Sequence, residues 1–352
     1  MAAYNVIFFS LLILCIAEKK NLLGNRFIPI FISFIFVLLF TGLRGNVGQD
    51  IPNYKEIHKN ITLYYDHIEY GFYYLVIFFK WINLDFTFFI FFSSIFFIFL
   101  YYYALYKFLG VGLVIFAFLF IFCDLYMYFN MSGIRQGIAL SIVLLSGYYA
   151  YKRNFIKFII LVFLATLFHK SAIVALLIYP IIKIRIQKHI RFYILLSVIS
   201  LLWIALFPSF IKTTTLLSDI KASSMYLSDD YNELSISAYL IGIIRRVYPI
   251  LLFFLFYKKI KECPLTLSLF NVYLFGFIMY LLNYPILQDV TIRISSYFIL
   301  FEPVLVISIL SKITSKKNYL LICSLILSLM YIKILIYSSL PAYQYDFFDT
   351  IF

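Results

Sequence analysis

Apolar runs of about 20 residues recur along the whole 352-residue chain, separated by short polar loops. A helix of that length covers the hydrocarbon core of a bilayer, so the pattern predicts an all-α, polytopic integral membrane protein. The runs lie at residues 6–17, 27–43, 86–106, 111–129, 134–150, 155–182, 192–211, 237–257, 265–283, 292–310 and 319–338. The polar segments between them are too short for a soluble domain, so residues 1–352 are expected to form one membrane domain. Residues 6–17 have no basic residue before them and Glu18-Lys19-Lys20 after them. That order reverses a cleavable signal peptide and predicts a first span with its N-terminus outside.

Lysine and arginine favour cytoplasmic loops, and this bias orients the threading. Basic clusters stand at Lys19, Lys20 and Arg26; at Lys107; at Lys152, Arg153 and Lys157; at Lys183, Arg185, Lys188 and Arg191; at Lys258, Lys259 and Lys261; and at Lys312, Lys316 and Lys317. With all six inside, 17 of the 29 basic residues are accounted for. The run at 155–182 has a cluster on each side, so it is expected to enter and return, turning at His169-Lys170-Ser171. Each arm is short of a full crossing, which places the turn below the outer surface, in a cavity that satisfies its polar backbone. Residues 70–84, interrupted by Lys80, are expected to lie as an interfacial helix at the end of an external loop, 44–69. A second external loop, 212–235, carries Asp219, Asp229, Asp230 and Glu233. The prediction is about twelve transmembrane helices, two of them short and paired as a hairpin.

Composition agrees with this class. Hydrophobic residues make up 64% of the chain, against roughly half in a soluble domain. The net charge of +13 resides in loops between spans, which argues against a nucleic-acid partner. The four cysteines lack metal-ligand spacing and suggest neither a zinc site nor a disulfide framework. An aromatic content of 22% fits carbohydrate-stacking surfaces or base-composition drift. No internal repeat supports an inverted-repeat transporter. No metal or cofactor is called for, although Asp50 with Glu69 could hold an ion.

The informative residues are cations that the loop bias does not explain. Arg44 closes the second run, Arg135 opens the run at 134–150, Arg245 and Arg246 stand inside an apolar run, Arg293 opens another, and Lys170 sits at the hairpin turn. Ionisable groups at membrane depth cost several kcal/mol and mark functional sites by default. A guanidinium binds phosphate through a planar fork of donors and stays charged, so arginines in a membrane cavity suit a lipid-linked diphosphate. Each has a structural alternative. Arg44 and Arg293 fit snorkelling anchors at helix ends; Arg245 and Arg246 fit ion pairs with Asp124, Asp289 or Glu302; His169 fits a satisfied turn residue. In the first external loop, Asp50 and Tyr54 follow Arg44 closely, and Glu69 offers a second carboxylate before the interfacial helix.

Three segments in order carry a family resemblance: Arg44-x-x-x-Gly48-x-Asp50-x-x-x-Tyr54, then Glu69-x-Gly71, then Ile134-Arg135-Gln136-Gly-Ile-Ala139. The hairpin Leu164-Ala165-x-x-x-His169-x-Ser171-Ala172 follows about 30 residues later. Over residues 44–180 the chain resembles the EpsG/Wzy family of O-antigen, capsule and exopolysaccharide repeat-unit polymerases. The resemblance implies a GT-C-like helical membrane glycosyltransferase of the bacterial cytoplasmic membrane, with its active site facing outside. It would transfer a glycan from undecaprenyl diphosphate to the non-reducing end of a lipid-linked repeat unit. A chain-length regulator and a flippase of the same pathway are implied partners.

On that basis the expected catalytic residues are Arg135, His169 and Asp50. Arg135 and Arg293 would stabilise the departing diphosphate, and His169 or Asp50 would deprotonate the acceptor hydroxyl. Arg44, Tyr54, Glu69, Lys170, Arg245, Arg246 and Arg293 would bind the lipid diphosphates and sugars. Competing classes are a flippase for the same lipid-linked sugar, an O-antigen ligase and an acyltransferase.

Overall fold

The computed structural model of the protein describes residues 1–184, 236–285 and 287–347. The expected span at 192–211, the external loop 212–235 and the basic residues Arg185, Lys188 and Arg191 lie outside the described residues. Among the described residues the chain is helical, with one isolated β-bridge between Arg44 and Phe347. It divides into two compact units, Met1–Leu176 with Ile313–Phe352, and Leu177–Lys312.

The first unit contains α1 (Ala2–Lys20), α2 (Phe27–Gly42), α3 (Ile51–Lys59), α4 (Tyr70–Trp81), α5 (Phe86–Leu109), α6 (Val114–Ile121), α7 (Ile134–Tyr151) and α8 (Phe155–Thr166). Local chemistry starts and stops these helices. The Asp85 carboxylate accepts from Phe88 N at 3.0 Å and the Asn154 side chain from Lys157 N at 3.1 Å, capping α5 and α8. Asn21 ends α1 in a left-handed conformation at φ 54°. Glu18, fully buried, accepts from the backbone N–H of Gly112, Val114 and Ile115 at 2.8–3.0 Å, and so joins the end of α1 to the start of α6.

Helix α7 is the axis of this unit. It is buried on nearly every side, as a helix in the middle of a bundle must be, and packs against α5 and α8. Its internal Ser141 and Ser146 return their hydroxyls to the carbonyls of Ile138 and Val143, which removes the cost of burying them. Ahead of it, α6 widens into a π-helix over Phe122–Asn130, a geometry that favours functional positions. That π-helix aims Asp124 at Lys333, 2.5 Å away on the helix Lys316–Ser339, where the chain returns to this unit. Beyond that helix, the Pro341–Tyr343 turn and its successors strap the loop after α2. Ala342 O accepts from Gly48 N and Asp346 O from Gly45 N, both at 2.8 Å. Tyr4 donates to the Tyr343 carbonyl at 2.6 Å.

The second unit comprises the short helix Ile178–Lys183, then Ile236–Leu255, Pro264–Asn283, Gln288–Ile299 and Glu302–Leu310. Asn271 donates to the carbonyls of Ile181 and Ile184, which fastens the short helix to the Pro264–Asn283 helix.

Five helices among the described residues are long and apolar enough to cross a membrane: Ala2–Lys20, Phe86–Leu109, Ser237–Leu255, Pro264–Asn283 and Lys316–Ser339. A sixth arises if Gln288–Ile299 and Glu302–Leu310, bent by 41°, act as one broken span. The expected count of about twelve is therefore matched by length and hydropathy for only five or six described segments. Phe27–Gly42, Val114–Asn130 and Phe155–Thr166 are apolar but shorter. Polar residues such as Arg135, Gln136 and the tyrosines of α7 lower its hydropathy. The run at 155–182 is interrupted at the expected turn residues: α8 ends at Thr166 and a 3-10 segment starts at Lys170.

The Asp124–Lys333 pair is largely buried, at 20% and 12% exposure, so removing one partner strands the other charge. Asp124→Leu or Lys333→Met alone is expected to cost about 3 kcal/mol. The double variant should recover most of that loss in thermal unfolding in detergent; additive losses would mean that the pair does not interact.

Candidate functional site

A polar cluster forms where α3, α4, the start of α7 and the turn after α8 meet. Arg135 lies in the first turn of α7, after Gly133. The N-terminal end of a helix carries partial positive charge, so a cation there needs a nearby anion. Glu69 provides it: Arg135 Nη1 donates to Glu69 Oε2 at 2.6 Å. The Tyr54 hydroxyl accepts from Arg135 N and Nε at 3.4 Å. The guanidinium carbon lies 5.9 Å from the Tyr54 ring centroid and 6.0 Å from that of Phe72.

Glu69 is the residue on which the cluster converges. It stands at the N-cap position of α4, yet its carboxylate makes no capping bond to that helix. Oε2 takes Arg135, while Oε1 accepts from Lys170 N at 3.2 Å and stands 3.7 Å from His169 Nδ1. His169 Nδ1 also lies 3.3 Å from Ser171 Oγ. One carboxylate thus holds the mouth of α7 against the turn after α8. Burial alone would raise the Glu69 carboxyl; Arg135 first, then His169 and the Lys170 N–H, outweigh burial and hold it below its usual range.

The spaced glycines of the sequence motifs have steric causes here. Gly71 N donates to Leu167 O at 2.8 Å, and a Cβ at Gly71 would lie 2.7 Å from that oxygen. Only glycine lets α4 approach the end of α8 this closely. Gly48 adopts φ +121°, and a Cβ there would lie 2.0 Å from Met131 O, in the turn leading to α7. Between them, α3 presents Tyr54 from its buried face, and Asp50 N donates to Ser132 Oγ at 3.1 Å.

The other predicted site residues have their own surroundings. Arg44 is only 4% exposed; Nη1 donates to Thr41 O at 3.1 Å and contacts Met131 Sδ at 3.4 Å, and Nη2 donates to Asn130 O at 3.1 Å. It therefore ties the end of α2 to the turn before α7 through carbonyls. Asp50 is partly exposed beside that turn, with Oδ2 3.8 Å from where a Cβ on Gly133 would stand. Lys170 enters the cluster through its backbone, and its side chain is exposed.

Arg245, Arg246 and Arg293 belong to the second unit. Arg246 donates to Gly242 O at 3.0 Å and lies 4.1 Å from the Tyr280 ring centroid. Arg293 stands 3.9 Å from Asp289. Of the acids expected near Arg245 and Arg246, Asp124 meets Lys333 and Glu302 accepts from Tyr248.

Phe72, Ser132, Ser171 and the C-terminal strap were missed as neighbours of the site. Phe72 follows Gly71 directly and Ser171 stands in the hairpin motif, so both had a local signal. The strap had none, because it reaches loop 44–48 from about 300 residues away in sequence. Among the described residues no group of three His, Cys, Asp or Glu side chains comes together as a metal site.

The fold and the cluster define a multi-helix membrane protein with an arginine held by a buried carboxylate at a helix mouth. Residues 27–347 match the model of the EpsG family, and the chain belongs to that family. The match extends well past residues 44–180, where the motifs are densest, and membership suggests a polysaccharide-polymerase role. No curated protein and no solved structure matches the chain.

Because the folded Glu69 carboxyl is depressed below its ordinary value of 4.5, its contribution to stability is complete above that pH. The contribution is lost as pH falls through the folded value. Glu69→Gln is expected to cost about 2 kcal/mol at neutral pH. The gap between wild type and variant in thermal unfolding should close as the solution is acidified below pH 4.5. A pH-independent gap would mean that the carboxylate charge does not hold the cluster.

Proposed function

We propose that the protein is a polysaccharide repeat-unit polymerase of the bacterial cytoplasmic membrane. It moves a glycan from undecaprenyl diphosphate to the non-reducing end of a lipid-linked repeat unit on the outer face. The observation that carries this reading is Arg135, fixed at the mouth of a buried helix by Glu69, the same carboxylate that His169 faces. A diphosphate leaving group develops negative charge, and preorganised donors in a water-poor site stabilise it strongly. The α7 N-terminus adds its own partial positive charge at the same place.

In the proposed reaction the acceptor hydroxyl oxygen attacks the anomeric carbon of the donor glycan, and the bond from that carbon to the diphosphate breaks. The undecaprenyl diphosphate carries the bonding pair away beside Arg135. With His169 Nδ1 turned toward Glu69 and Ser171, Nε2 takes the acceptor proton. Asp50 is the second candidate for that base. Tyr54 and Glu69 position Arg135 rather than react, Lys170 offers its exposed cation to the incoming phosphate, and Arg44 braces the loop that carries Asp50 and Tyr54. In the second unit Arg245, Arg246 and Arg293 are candidates for holding a lipid-linked diphosphate. The helical architecture on this reading is GT-C-like, with about twelve crossings.

Deleting the gene should abolish the surface-glycan ladder on a gel while leaving a single capped repeat. Loss of every external repeat would instead point to a flippase. Complementation with Arg135→Ala should reduce polymer by at least about a hundredfold, the usual effect of losing a donor to a developing anion. Arg135→Lys should rescue only in part, because an ammonium lacks the planar fork. A full-length ladder from Arg135→Ala or His169→Ala would remove that residue from the mechanism.

A further inference from the structure

The first unit contains a second feature that the proposed reaction does not use. Between the first half of α2 and the last turns of α5 runs a groove of about 480 Å³, lined by Phe27, Ile30, Phe34, Phe99, Tyr103 and Tyr106, among others. Its lining is almost wholly apolar. Phe31 and Phe99 on its walls are 64% and 55% exposed, so the groove opens sideways from the bundle. Helix α5 is long and apolar enough to cross a membrane, which sets that opening against lipid.

Charge is confined to one end of the groove. Arg26 immediately precedes Phe27 and is exposed, and Lys19 and Lys20 at the end of α1 are exposed as well. Lys107 follows Tyr106 and holds its ammonium 5.2 Å from the Tyr103 ring centroid. The Phe27 and Tyr106 rings, 5.9 Å apart, narrow the groove at this basic end. The neighbouring acid, Glu18, is fully buried, accepts from three backbone N–H groups of 112–115 and attracts Arg26, so it offsets only part of the positive charge at this end. Arg44 stands beyond the far end of α2, so the groove is distinct from the Arg135 cluster.

We infer that this groove binds one acyl chain of an anionic phospholipid, whose headgroup phosphate is held by Arg26 and Lys107. An apolar slot inside the membrane suits a hydrocarbon chain, and basic residues at its polar end select a negatively charged headgroup. Tyr103 and Tyr106 where the chain meets the headgroup match the interfacial preference of tyrosine.

The test uses the full chain, extracted from vesicles of phosphatidylglycerol and phosphatidylethanolamine and examined by native mass spectrometry. Wild type should retain one phosphatidylglycerol in preference to phosphatidylethanolamine. Arg26→Gln with Lys107→Gln should weaken that preference on the order of fivefold for each charge removed. Ile30→Trp should fill the groove and displace the lipid. The double substitution lies at exposed and half-exposed positions, so it remains informative even if Ile30→Trp fails to fold. Equal retention of the two lipids by wild type, undiminished preference in the double variant, or a lipid-free dimer in place of the lipid adduct would overturn the inference.

Discussion

The ion pair between Glu69 and Arg135 is the constraint on which the first unit's polar site depends. A guanidinium at the start of a helix sits in the wrong end of the helix field, a penalty of about 0.3–1 kcal/mol, and desolvation adds to it. At 9% exposure Glu69 is itself buried, so its charge depends on the Arg135 counter-ion. The carboxylate offsets both costs at once because its second oxygen takes the Lys170 amide and faces His169. Three segments distant in sequence are therefore held together by a single side chain. Removing it would leave Arg135 without its counter-ion and the turn after α8 without its anchor.

Around that pair, the backbone is brought unusually close by residues that have no side chain. Gly71 lets α4 rest on the Leu167 carbonyl, and Gly48 lets the first loop rest on the Met131 carbonyl. Arg44 and the C-terminal strap then fix the loop from behind. The arrangement links packing to chemistry directly. Tyr54 reaches Arg135 only because the turn at Gly48 and Asp50 delivers α3 to the mouth of α7.

Much of this was legible from the chain alone. The helical membrane class followed from apolar run length, and the motif order carried the family. Tyr54, Glu69, Arg135, His169 and Lys170, separated by up to 116 positions, were singled out individually and prove to be one cluster. Glu69 was undervalued, since a carboxylate in a loop gives no hint of how many partners it will gather. Arg44 drew attention as an embedded cation, but its partners are backbone carbonyls, which no residue pattern advertises. The π-helix at Phe122–Asn130 was not anticipated, the bend between Ile299 and Glu302 has a local signal in Pro303, and the Asp124–Lys333 pair depends on packing between distant segments. A hydropathy window passes over the π-helix and the bend, and it registers Asp124 and Lys333 only as isolated charges.

The central claim is that this cluster transfers a glycan between lipid-linked diphosphates. The most direct measurement reconstitutes the purified chain in vesicles with an undecaprenyl-diphosphate-linked repeat unit as the sole substrate. Lipid-linked products are then separated by length. The account predicts oligomers of two or more repeats, with one undecaprenyl diphosphate released for each new linkage. Repeat units that cross the bilayer without lengthening would contradict it.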